Sequence, residues 1–70
     1  MPSIAIAAIE YDPERGRLTV VFVIGRIYEY VDVPAEVAAS FQSAFSKRMF
    51  FNSYVRNRYD SREITAARTS

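Results

Sequence analysis

The spacing of apolar residues changes at Val33. Through "RLTVVFVIGRIYEYV", residues 17 to 31, apolar and β-branched side chains alternate with a period of two, and after Val33 they recur every three to four residues. The first period belongs to strands and the second to helices. A chain that makes this switch once, in this direction, is restricted to an α+β architecture in which helices gather on one face of an antiparallel sheet.

Three strands are predicted. "IAIAAIEY", residues 4 to 11, leads into "DPERG", whose Asp, Pro and Gly stand in turn order. "RLTVVFVI", residues 17 to 24, reads as the central strand, and after Gly25 the stretch "IYEYV" returns as its hairpin partner. Register decides where Tyr28 and Tyr30 point. A two-residue turn at Gly25 and Arg26 would set Val23 opposite Tyr28, whereas a three-residue loop would set Phe22 opposite Tyr28 and Val20 opposite Tyr30. The second is preferred, because it collects Leu18, Val20, Phe22, Tyr28 and Tyr30 on one bulky face for helices to cover. Thr19, Val21, Val23, Ile27, Glu29 and Val31 then form an outer face that is apolar enough to call for a second layer or a partner chain.

Two helices follow. Pro34 suits the first helical position, Glu36 the first turn, and Lys47 and Arg48 the far end. Val37, Phe41 and Phe45, with Ala38 and Ala44, make one apolar stripe. In "MFFNSYVRNRY" Phe51, Val55 and Tyr59 recur at four-residue steps, and Arg48, Asn52 and Arg56 share a neighbouring face. Phe50 and Phe51 cannot both lie on the buried stripe. The ending "DSREITAARTS" is polar and without sustained period, so residues 1–62 are expected to form the domain and residues 63–70 a flexible tail. The expected outline is β-β-β-α-α.

A chain of 70 residues buries only about 60% of its unfolded surface, and with no cysteine and no histidine it has neither disulfides nor imidazole and thiolate ligands to reinforce a small core. The same absence removes serine-histidine and cysteine-histidine catalysis, so the expectation is a protein that is not an enzyme and uses no cofactor. Glu10, Asp12 and Glu14 lie along a strand end and a turn, with no geometry that converges on a metal. No apolar run reaches the roughly 20 residues of a membrane span, and the N-terminal apolar stretch follows no basic region, which predicts a cytoplasmic protein. The net charge of +1 hides an asymmetry: residues 1–46 carry three basic against six acidic side chains, and residues 47–70 carry six against two. The basic charge lies in the C-terminal third.

Tyr11-Asp12, "LTVVF" at 18 to 22, Gly25, "YEY" at 28 to 30, "VP" at 33 to 34, Ala44, Ser46 and "FFNSYVRNRY" at 50 to 59 together resemble the KTSC domain, over residues 3 to about 62. That family takes its name from a C-terminal extension of some lysyl-tRNA synthetases and also occurs as stand-alone small bacterial proteins. Its tyrosine, any residue, tyrosine motif falls on Tyr28 and Tyr30. The resemblance implies no activity, and through the synthetase attachment it suggests RNA binding. Ser46, Lys47, Phe50, Phe51, Asn52, Val55, Arg56 and Tyr59 match a further family pattern, from which the chain departs at Arg48, where the family usually has glycine, and at Met49, often basic in the family. A glycine there would serve a left-handed linker position, which an arginine occupies at a cost of roughly 1 to 2 kcal/mol.

Two readings stand for the tyrosines: rings in the layer between sheet and helices, or a platform on which bases stack. Two stand likewise for Lys47, Arg48, Asn52, Arg56 and Arg58: a solvated face, with Arg56 bridging to Glu29 or another strand carboxylate, or a strip that meets phosphates. Function divides the same way. One candidate is a module for RNA, either tRNA or single-stranded, and the other is a homodimer or partner-binding module that uses Val21, Val23, Ile27 and Val31.

Overall fold

In the computed structural model, which describes residues 5–64, the change of period at Val33 is a change of structure. β1 (Ile6–Asp12), β2 (Arg17–Phe22) and β3 (Ile27–Tyr30) precede it, and α1 (Ala35–Ser43) and α2 (Lys47–Phe50) follow, the latter running into a π-helical turn over Phe51–Val55. The sheet has four strands rather than three. β4 (Ser61–Ile64) pairs antiparallel with β3 and completes the order β1-β2-β3-β4. Its Ser-Arg-Glu-Ile sequence has no apolar alternation to announce it, and two exposed ion pairs, Arg62 to Glu29 at 3.3 Å and Arg26 to Glu63 at 3.4 Å, tie it to its neighbours. Residues 65–70 of the expected tail lie outside the described residues.

The β2–β3 register differs by two residues from the expected pairing. Val20 faces Tyr28 and Leu18 faces Tyr30. The loop is three residues long, but it comprises Val23, Ile24 and Gly25, closed by Phe22 N–H donating to the Arg26 carbonyl at 2.8 Å. Gly25, at φ 97°, takes the left-handed position that ends such a loop. A shift of two leaves every side chain on its own face. Leu18, Val20 and Tyr30 are therefore buried, with Phe22 and Tyr28 packed at the margin of the same core. In β1 a bulge between Ile6 and Ala8 resets the alternation so that Ile6, Ile9 and Tyr11 all face inward.

α1 begins at Ala35 with Pro34 as its N-cap, one residue later than expected, and it stops at Ser43. Ala38 and Phe41 enter the core, but the chain is already extended at Ala44, which turns Phe45 out of the predicted stripe into full exposure. Ser46 caps α2 by accepting from the Met49 N–H at 3.2 Å, and Lys47 Nζ donates to the Ala44 carbonyl at 3.0 Å. The 2.8 Å bond from Arg56 N–H to the Phe51 carbonyl closes the π-helical turn. Its wider ring keeps Phe51 and Val55 both buried, and Phe50 instead stacks on Phe41 at 5.3 Å. Arg48 lies within α2. Among the described non-glycine residues only Asp32 and Asn57 have positive φ, so the left-handed linker expected at Arg48 is not there.

Candidate functional site

The hairpin and the π-helical turn meet at one edge of the core, and a cleft of about 300 Å³ opens between them. Its walls are the rings of Phe22, Tyr28, Tyr30 and Phe51, with Ile24, Arg26 and Arg56 at the rim. The rings are locked edge to face: Phe22 meets Tyr28 at 5.7 Å and Phe51 at 5.4 Å, and Tyr30 meets Phe51 at 5.9 Å. Such contacts are worth about 0.5–1.5 kcal/mol each beyond the area they bury, so the wall is rigid. Tyr30 belongs to the core, and Tyr28 is half-buried.

The electrostatics of the cleft are set by two phenols and two guanidiniums. Burial pushes the Tyr30 hydroxyl above its usual range and the nearby Tyr28 adds to this, whereas Arg56 and a hydrogen bond with Ser61 draw it part of the way back. The Arg26 guanidinium is held more firmly protonated by hydrogen bonding with the Tyr28 phenol and then by the Glu63 carboxylate. None of the lining residues pairs a nucleophile with a general base. What the cleft offers is ring surface and cationic donors.

Of the residues singled out by sequence, Tyr28, Tyr30 and Arg56 come together here, and Asn52 joins them indirectly by accepting from Arg56 at 3.4 Å. Arg56 does not reach Glu29, which lies on the opposite face of the sheet between Arg17 at 3.7 Å and Arg62. Arg48 is exposed on α2, and Lys47 is spent on the junction between the helices. Arg58 lies apart, in a groove of about 530 Å³ with Glu36, Tyr54 and Tyr59. Arg26 was not anticipated. Its signal was available, because residues two apart in a strand share a face and Arg26 stands two before Tyr28.

On the outer face, Ala8, Val21, Ile27 and Ile64 are successive cross-strand neighbours and form an apolar row. The next row, Glu10, Thr19, Glu29 and Arg62, is polar and carries the ion pairs. It separates Val31 from Val21 and Ile27, and Val23 is exposed in the hairpin loop. Among the described residues no helix is long and apolar enough to cross a membrane, and no three acidic side chains converge as metal ligands would.

The sequence profile of the KTSC domain matches residues 2–59. A KTSC domain protein from Yersinia pestis, known from a crystal structure, is similar in fold at a TM-score of 0.82 and 32% identity, over 93% of this chain and 94% of that one. A lysine–tRNA ligase from a Nostoc species is 32% identical over 60 residues, 86% of this chain. The chain spans 11% of that ligase's length.

Proposed function

Since the chain belongs to the KTSC domain family, we propose that it is a small non-catalytic, cytoplasmic module that binds single-stranded or unpaired regions of RNA at the Tyr28 cleft. The observation that carries this reading is that Arg26 and Arg56 line the same aromatic cleft as the half-buried Tyr28. An unpaired base has a ring to stack and a phosphate on its flank, and the cleft presents the complement of both. Similarity to a segment of a lysine–tRNA ligase supports the same class of ligand.

Stacking on one tyrosine contributes roughly 1–3 kcal/mol, and contacts from Arg26 and Arg56 give a salt dependence of about −0.7 per phosphate in log–log terms. Affinity should therefore be modest and fall about tenfold between 50 and 200 mM salt. Fluorescence anisotropy of labelled tRNA and short single-stranded RNA titrated with the protein at these two salt concentrations tests the reading. Saturable, salt-sensitive binding is expected. A flat anisotropy at low salt and high protein concentration would remove RNA as the ligand.

A further inference from the structure

The groove that takes Arg58 is larger than the Tyr28 cleft and differs from it in charge. α1 supplies Glu36 and Val37, the end of α2 supplies Phe50, the π-helical turn Tyr54, and the segment after it Arg58 and Tyr59. Its volume of about 530 Å³ falls in the range of small-molecule sites. Phe50 is held on Phe41 at 5.3 Å, Tyr54 lies 4.9 Å from Phe50, and Tyr59 packs on the core, so the aromatic walls are built into the fold. Glu36 and Arg58 line this one space, yet among the described residues neither forms an ion pair, with the other or with any third group. The Tyr28 cleft, by contrast, is lined by two guanidiniums and no acid.

We propose that this groove is a second site, for a free α-amino acid with an aromatic side chain: Arg58 takes the carboxylate, Glu36 the ammonium group, and Phe50, Tyr54 and Tyr59 the ring. Charge complementarity selects the class. A ligand of one sign is attracted by one of the two residues and repelled by the other, whereas a zwitterion is matched by both. The planar guanidinium suits a carboxylate, and an ammonium group gains from aromatic faces as well as from the acid. The aromatic walls favour a ring on the ligand over an aliphatic chain. An open groove and a ligand of about a dozen non-hydrogen atoms set a dissociation constant on the order of 1 mM.

Amide NMR spectra of the full chain, titrated at neutral pH with L-phenylalanine, phenethylamine or phenylpropionate to about 20 mM, test this. The two analogues each lack one of the charges. Saturable shifts at groove residues, Val37 and Tyr59 among them, are expected with L-phenylalanine, and each analogue should bind about three- to tenfold more weakly. Glu36 and Arg58 are exposed, so their variants should keep the fold. Arg58→Gln should lower the affinity for L-phenylalanine to that for phenethylamine, and Glu36→Gln should lower it to that for phenylpropionate. Absence of saturable shifts with L-phenylalanine, shifts that map away from the groove, equal affinity for all three compounds in the wild-type chain, or an undiminished preference for the zwitterion in both variants would overturn the proposal.

Discussion

Tyr30 is buried through its ring but carries a hydroxyl that must stay protonated there. Burial, followed by the proximity of Tyr28, raises its pKa above the ordinary 10.0, so the folded chain holds this proton more tightly than the unfolded chain does. A raised value gives a contribution that is complete below about pH 10 and lost as pH climbs through the folded value. Denaturant unfolding from pH 8 upwards should show a plateau and then a decline, and Tyr30→Phe should make the decline shallower; an equally steep decline in the variant would show that another group causes it. Arg48 makes a separate case. The expectation of strain came from treating the α1–α2 junction as a left-handed linker, yet Arg48 stands in the first turn of α2, where arginine is a good helix former. Arg48→Gly should accordingly destabilise by about 0.5–1 kcal/mol in chemical denaturation. A more stable glycine variant would restore the strained-linker reading.

At the scale of elements, legibility followed the strength of the side-chain period. β2 and β3 were read with a period of two, so Leu18, Val20 and Tyr30 could be placed in the core even though the loop lies one residue earlier than expected and the partner of each residue is therefore two residues away. β4 had nothing to read, since its stability comes from the backbone ladder to β3 and from pairs such as Arg62 with Glu29, whose partners are 33 residues apart. The end of α1 was equally silent: Phe45 fits a four-residue step from Phe41, and only the extended conformation at Ala44 removes it from the helix. Such a β4 adds no residue to the buried core, and exposed ion pairs contribute little, about 0–1 kcal/mol each. Native-state hydrogen exchange should find the β3–β4 amides opening locally at much lower free energy than those of Leu18 and Val20, which open only with the whole domain. Equal protection of β4 and β2 would mean that the strand is an integral part of the cooperative core.

For the whole molecule, the cleft is where the separate parts combine. The hairpin supplies Arg26 and Tyr28, the π-helical turn supplies Phe51 and presents Arg56 at its end, and β4 sets Glu63 against Arg26 from outside. The tyrosines were legible as a pair on one face, but their union with Arg56 depends on how the helical half folds back over the sheet, which no local pattern encodes. The same fold sends Arg58 to a different groove, so Arg56 and Arg58 do not line one cleft. The most direct test compares RNA binding by wild type, Arg56→Glu and Arg58→Glu in the same anisotropy titration at 50 mM salt. The cleft account predicts a loss of at least tenfold for Arg56→Glu and a much smaller, purely electrostatic loss for Arg58→Glu. Equal losses, or none in Arg56→Glu, would contradict it.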